Sequence, residues 1–240
     1  MALYFWCLGG LIIKLALSIR QKPIAFVSSV GVGAAIPFGQ FTEDADVRRV
    51  GQKRRLDDNY ATGYATSKWA GEVLLRQAHD LCGLPIAVFR CDMIMAEPRY
   101  RGQLNLPDMV TRLILSIAAT GLAPKSFYVR DSDGGRPRAH FDGLPVDFVA
   151  DAISTLIPTT HGDFKGFRTF HVVNPRDDGV GLDTFVDWMV DYGVHVERID
   201  DYAQWLKRFE DRFGALPSPW HSGLTSLERR ETWRAIAEGR

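Results

Sequence analysis

The sequence predicts an α/β fold in which helices cover both faces of a parallel sheet. Three short, mostly apolar segments alternate with longer segments of helical periodicity: "PIAFVSSVGVG", "PIAVFRCDMIMA" and "FRTFHVVNP". Runs that are apolar on both sides are typical of strands buried on two faces. Because strands that alternate with helices favour parallel pairing, the middle two-thirds of the chain fit an open α/β fold of the dinucleotide-binding type.

The N-terminal half supplies the first of these elements. Residues 11–19 are apolar at most positions and predict a mostly buried helix, although Lys14 interrupts the apolar run. No basic segment precedes that run, so we interpret it as core and not as a signal or membrane anchor. The first strand then ends in two serines, a charged surface segment follows, and residues 64–81 predict a helix that stops at Gly83.

The C-terminal half alternates in the same way. A second strand precedes a helix that Gly121 and Pro124 close, and a further helix has Asp147 as its expected N-cap. After the third strand come two amphipathic helices, "LDTFVDWMVDYG" and "DYAQWLKRFEDRFG". We therefore expect residues 1–100 to form the C-terminal part of a Rossmann-type nucleotide-binding domain. Residues 101–240 would form a small, mostly helical substrate-binding region, with one strand near 167–174 returning to the sheet.

Composition narrows the classes of function. The 240 residues include 29 Lys and Arg and 29 Asp and Glu, so the net charge is zero and nothing favours electrostatic capture of nucleic acid or of an anionic membrane. The three cysteines form no C-x-x-C pair, which argues against disulfides and zinc and favours a reducing, cytoplasmic location. We expect no metal site, since His140 and His171 have no acidic or thiol partner at metal-ligand spacing.

Tyr64 and Lys68 are the first candidate catalytic pair. Residues four apart share a helix face, so both side chains would project together from the helix start. An ammonium near a phenol lowers the phenol's pKa, and such a tyrosine can donate a proton to an oxygen that becomes negative during hydride transfer. Ser28 and Ser29 end a strand, where open α/β sheets place their sites, and a hydroxyl there could hold the same oxygen. By spacing alone, a helix-end tyrosine beside a solvated lysine remains an alternative.

The order "FVSSVGVG", "GYATSKWAGEVLL", "PIAVFRCDMI" resembles the extended short-chain dehydrogenase/reductase superfamily. More narrowly, the chain is similar to the C-terminal reductase domain of carboxylic acid reductases, a relative of the thioester reductase domains of peptide synthetases. The similarity runs from about residue 12 to about residue 216 and includes "SKWAGEVLLRQAHDLCGLPIAVFR" and "RAHFDGLPVDFVADAI".

The resemblance implies a role for each candidate. Tyr64 would be the proton donor, and Lys68 would lower its pKa and bind the nicotinamide ribose. Ser29 would hold the substrate oxygen, with Ser28 as a cofactor neighbour, and these two roles could be exchanged. Asp108 would keep reduction at the aldehyde stage, although a carboxylate that stabilises the first turn of a helix is an equal alternative. The family uses NADPH to reduce an acyl thioester carried by the phosphopantetheine arm of a carrier domain.

One departure from the family changes the expected activity. The sequence contains no G-x-G-x-x-G, the turn that binds a pyrophosphate after the first strand of such folds. We therefore expect a fold that lacks its first βαβ unit, poor binding of NADPH and impaired reduction. The alternatives are a catalytically dead remnant, and another extended short-chain reductase or epimerase acting on a hydroxysteroid-like or sugar substrate.

Overall fold

The computed structural model describes residues 2–51, 62–97, 99, 108–129, 133–157 and 165–217. Its helices are α1 (Ala2–Leu17), α2 (Val47–Val50), α3 (Thr62–Cys82), α4 (Met109–Thr120), α5 (Val146–Leu156), α6 (Leu182–Asp191) and α7 (Tyr202–Gly214), and a 3₁₀ helix spans Val30–Ala35. Its strands are β1 (Ile24–Ser29), β2 (Ile86–Cys91), β3 (Met93–Met95), β4 (Leu122–Pro124), β5 (Gly143–Pro145), β6 (Phe167–Val172) and β7 (Glu197–Ile199).

The main sheet has the order β1-β2-β6, and both pairings are parallel. All six residues of β2 are buried, because helices pack on both faces of that strand. Ile86 and Val88 lie in one apolar cluster with Leu75 of α3. Ala87 and Phe89 point the other way and pack with residues of α5. The expected α/β fold with two covered faces is therefore confirmed.

Helix α3 approaches β1 closely, and one glycine makes that approach possible. A Cβ atom at Gly71 would lie 2.8 Å from Cζ of Phe26, closer than two carbon atoms can pack. The ring of Phe26 thus occupies the space that a larger residue at position 71 would need. Because Tyr64, Lys68 and Gly71 share this helix, the contact sets how near the start of α3 comes to β1.

A second core lies among the helices α4, α6 and α7. Trp205 is 1% exposed and packs edge-on against Phe127 and beside Phe209. Two short strands, β4 and β7, pair in parallel beside these helices. Gly121 ends α4 in the left-handed conformation, with φ of 65°, as its place in the sequence predicts.

Three expectations about elements are wrong. Helix α1 is not mostly buried: Ala16 is covered, whereas Leu11 and Leu15 are more than 60% exposed. The second predicted strand is two strands, since β3 leaves the main sheet and pairs with β5. Asp147 does not cap α5, because the N-cap position is Pro145 and Asp147 lies in the first turn.

The chain divides into two compact units. The first comprises Met1–Glu97 and Asp142–Pro175, and the second comprises Pro98–Phe141 and Arg176–Arg240. In this division the segment that precedes β6, including α5, belongs with β1 and β2. The functional labels expected for residues 1–100 and 101–240, nucleotide-binding and substrate-binding, stay predictions.

Candidate active site

Ser29 and Tyr64 meet at the carboxyl end of β1. Ser29 is the last residue of that strand and caps the 3₁₀ helix, where its Oγ accepts a hydrogen bond of 3.1 Å from the Gly31 amide. Tyr64 lies in the first turn of α3, and its phenol is near enough to the Ser29 side chain for that hydroxyl to influence the phenol's pKa. Tyr64 is 55% exposed and Ser29 is partly exposed, so neither residue is sealed off from solvent. A carbonyl oxygen that approached the phenol and the hydroxyl could bind both groups.

Lys68 lies one helical turn after Tyr64, as the spacing predicts. Its Nζ is 5.6 Å from the centre of the Tyr64 ring and 5.4 Å from the centre of the Phe26 ring. The ammonium donates a hydrogen bond of 2.8 Å to the carbonyl oxygen of Val27 on β1. Lys68 therefore tethers α3 to the strand whose end carries Ser29.

The expected effect of Lys68 on the tyrosine is not found. Burial raises the pKa of Tyr64 above its ordinary value, and the Ser29 side chain opposes that rise only in part. The pKa of Lys68 is lowered, again chiefly by burial. The prediction of a lowered phenol pKa is wrong for this structure because burial outweighs the other influences. A protonated Tyr64 at neutral pH still has the proton that a donor must supply.

Ser28 and Ser29 are not equivalent. The Ser28 side chain is buried, and its Oγ donates a hydrogen bond of 2.6 Å to Oε1 of Glu72 on α3. Of the two serines, Ser29 is therefore the one whose hydroxyl meets Tyr64. The role of Ser28 as a cofactor neighbour stays a prediction, and the geometry gives its hydroxyl a structural partner.

Glu72 also forms a buried ion pair with Arg90 of β2. Nη2 of Arg90 lies 2.9 Å from Oε2 of Glu72, and both side chains are at most 2% exposed. From its place after the apolar residues of the second strand, Arg90 could approach a cofactor or pair with Asp92; the structure pairs its guanidinium with Glu72. Sequence reasoning missed Glu72, although its position eight residues after Tyr64 places it on the same helix face.

The other side of the Arg90 guanidinium contacts the loop before α2 and the last strand of the sheet. Nη1 donates to the carbonyl oxygen of Thr42 at 3.0 Å and lies 3.0 Å from Nε2 of His171. The ring of Phe41 stacks on His171 and covers the guanidinium. Burial and the nearby Arg90 charge lower the pKa of His171, so this side chain is an uncharged acceptor at neutral pH. His171 thus lies near the end of β6 and belongs to the hydrogen-bonded network of Arg90 and Glu72.

Asp108 has a clear local role in the second unit. It is the N-cap of α4, and its Oδ2 accepts a hydrogen bond of 2.7 Å from the amide of Thr111. On the sequence alone, a helix-stabilising carboxylate and a residue that stops reduction at the aldehyde are equal alternatives for Asp108. The cap is now an observation, whereas the control of reduction stays a prediction.

Comparison with known proteins places the chain in a family. Residues 10–153 match the model of an NAD-binding family described as "Male sterility protein". The chain belongs to this family. The matched segment contains β1, α3, β2 and α4, and therefore all of the site residues except His171, which lies beyond it.

Relatives of known identity support a narrower assignment. The chain is 57% identical over 217 residues to the carboxylic acid reductase of Mycobacterium marinum. It is 58% identical over 207 residues to the isonitrile lipopeptide synthase of Mycobacterium tuberculosis. These matches cover 90% and 86% of this chain but only 18% and 8% of the two relatives. The resemblance to the reductase domains of carboxylic acid reductases and peptide synthetases is thereby confirmed.

Solved structures agree with this assignment. The reductase (R) domain of a nonribosomal peptide synthetase from Mycobacterium tuberculosis superimposes with a TM-score of 0.84 at 53% sequence identity. That match covers 91% of this chain and 52% of the R-domain chain. The terminal R domain of the myxalamid pathway superimposes with a TM-score of 0.62 at 28% identity. This chain thus has the fold of R domains over about half of their length.

Two kinds of feature are absent from the described residues. No helix in that part of the chain is long and apolar enough to cross a membrane. No group of three or more His, Cys, Asp or Glu in the same residues could hold a metal ion. The groups suited to a nicotinamide cofactor are the accessible Tyr64 phenol and the Lys68 ammonium, which lie side by side at the end of β1.

Proposed function

We propose that this chain carries the proton-donating half of an R-domain active site, which reduces an acyl thioester to an aldehyde with NADPH. The observation that carries the proposal is the contact between the Tyr64 phenol and the Ser29 hydroxyl, with Lys68 one turn farther along α3. High identity to carboxylic acid reductases supports the substrate class. The impaired activity expected from the sequence stays a prediction.

Each residue has a separate task in this reaction. Bound NADPH would supply the hydride that the thioester carbon accepts. The Ser29 hydroxyl holds the thioester oxygen, and the Tyr64 phenol protonates that oxygen as negative charge develops on it. The resulting hemithioacetal breaks its C–S bond, so that a thiol and an aldehyde leave. Lys68 would bind the ribose hydroxyls of NADPH beside Tyr64.

The proposed substrate is an acyl group on the phosphopantetheine arm of a carrier domain. A thioester on a long, flexible arm suits an accessible phenol and hydroxyl at the end of a strand. The carrier domain is thus the proposed macromolecular partner. A short acyl-pantetheine thioester should also react, because it contains every atom that changes in the reaction.

The test compares the chain with its Tyr64→Phe variant. NADPH consumption at 340 nm and aldehyde formation are measured together, at limiting NADPH and thioester, so that the rate reports kcat/KM even when binding is weak. Loss of the proton donor should lower kcat/KM by about 100-fold or more. Equal rates for the two proteins, or no aldehyde from either, would reject the proposal.

A further inference from the structure

Three polar side chains of the described part of α3 contact β1, and only two of them belong to the proposed reaction. Tyr64, Lys68 and Glu72 follow one another at intervals of four residues, so they lie along one helix face. Each contacts β1: Tyr64 through the Ser29 side chain, Lys68 through the Val27 carbonyl and Glu72 through the Ser28 hydroxyl. Glu72 is the buried one of the three, at 1% exposure.

Glu72 contacts a single row of the sheet. Ser28 is in register with Arg90, and Arg90 is in register with His171, so these residues form a row across β1, β2 and β6. The carboxylate accepts hydrogen bonds from the first two members of the row, and Arg90 connects it to the third. One side chain of α3 is therefore joined, directly or through Arg90, to all three strands.

The bonds to Glu72 restrict the position of α3. Charge-assisted hydrogen bonds between buried groups have narrow geometry and are costly to break. Sliding or rotating α3 on the sheet would break the bonds that Glu72 makes to Ser28 and Arg90. The same movement would carry the Tyr64 phenol away from the Ser29 hydroxyl, since both residues belong to the connected elements.

We propose that Glu72 is a positioning residue that, through Ser28 and Arg90, holds the start of α3 where the Tyr64 phenol meets the Ser29 hydroxyl. Glu72 does not touch the reacting atoms, and its effect passes through the helix and the strand. The importance of this effect for catalysis rests on the proposed function, but the positioning itself can be measured without substrate or cofactor.

The chain offers a matched control in its second unit. Asp183 is a buried carboxylate that accepts a hydrogen bond of 2.6 Å from the Ser126 hydroxyl, the same length as the bond between Ser28 and Glu72. Asp183→Asn and Ser126→Ala therefore reproduce the chemistry of Glu72→Gln and Ser28→Ala in a unit that does not contain Tyr64.

The experiment follows the Tyr64 phenol by NMR in the 240-residue chain labelled at tyrosine Cζ, with the resonance assigned by its loss in Tyr64→Phe. Ser29→Ala removes the hydroxyl that lowers the pKa of the Tyr64 phenol, so the Tyr64 titration midpoint in that variant should lie above that of the unchanged chain. We expect Glu72→Gln and Ser28→Ala to move the midpoint in the same direction as Ser29→Ala. Asp183→Asn and Ser126→Ala should leave it unchanged.

Three outcomes decide the proposal. A Tyr64 midpoint in Glu72→Gln and Ser28→Ala equal to that of the unchanged chain would overturn it. Equal shifts in the two control variants would also overturn it, because the effect would then be general loosening. A shift confined to the Glu72 and Ser28 variants would support it, and kcat for thioester reduction should then fall by up to about 100-fold with KM little changed. If no variant and no parent reduces thioesters, the proposed function fails while the titration still decides the role of Glu72.

Discussion

Replacing Arg90 with Met tests the buried network most severely. The change removes three hydrogen bonds from the guanidinium to the Glu72 carboxylate, together with the bond to the Thr42 carbonyl. Because the Glu72 side chain is 2% exposed, its charge would stay buried with only the Ser28 hydroxyl as a partner. Removal of one member of such a pair costs about 3–5 kcal/mol, a large share of the 5–15 kcal/mol that usually stabilises a domain.

The assay is urea unfolding followed by circular dichroism, with hydrogen exchange of β2 to assign the loss to the first unit. The double variant Glu72→Gln with Arg90→Met should lose less than the sum of the single changes, since no buried charge is left unpaired. As a control, Arg208→Met breaks an exposed pair with Glu197 and should change unfolding little. A cost for Arg90→Met below about 1 kcal/mol, or strict additivity in the double variant, would refute the reasoning.

Three further changes have definite expected results. Gly71→Ala places a Cβ 2.8 Å from the Phe26 ring. Overpacking should therefore destabilise the chain by about 1–3 kcal/mol, more than the helix propensity of alanine stabilises it. A variant more stable in urea would contradict the close packing of α3 on β1. Burial lowers the folded-state pKa of His171, so the unfolded chain binds more protons than the folded chain below about pH 6.5, and stability should rise with pH up to that point. His171→Gln should flatten this slope in urea titrations between pH 5 and pH 7. An unchanged slope would argue against the buried, uncharged imidazole. Asp108→Ala should lower the free energy of unfolding by about 1 kcal/mol because the N-cap is lost, whereas Asp108→Asn keeps a cap. If Asp108→Asn forms alcohol at unchanged stability, the predicted control of reduction is supported. If both variants form only aldehyde, Asp108 acts as a helix cap alone.

The parts of the site that depend on local periodicity were predictable from the sequence. Tyr64 and Lys68 share a helix face because the helix repeat requires it, and Ser29 ends a strand because an apolar run stops there. The fold class also followed from local pattern, since β2 is apolar on both faces. These inferences need no knowledge of which elements are neighbours.

The parts that depend on neighbours were not predictable. The ion-pair partner of Arg90, Glu72, becomes apparent only when α3 is placed on β2. For the same reason Leu11 and Leu15 were assigned to the core, because apolarity does not say whether another element covers a helix. The predicted shift of the Tyr64 pKa has the wrong direction, because residue spacing reveals a nearby charge but does not reveal burial.

Deuterium transfer tests the proposed reaction most directly. The chain is supplied with an acyl-pantetheine thioester and with NADPH dideuterated at C4 of the nicotinamide, and the product is analysed by mass spectrometry. Reduction at a site formed by Tyr64, Lys68 and Ser29 requires an aldehyde that carries a single deuterium, in an amount that falls about 100-fold or more in Tyr64→Phe. Unlabelled aldehyde, or labelled aldehyde formed equally well without the phenol, would contradict that site.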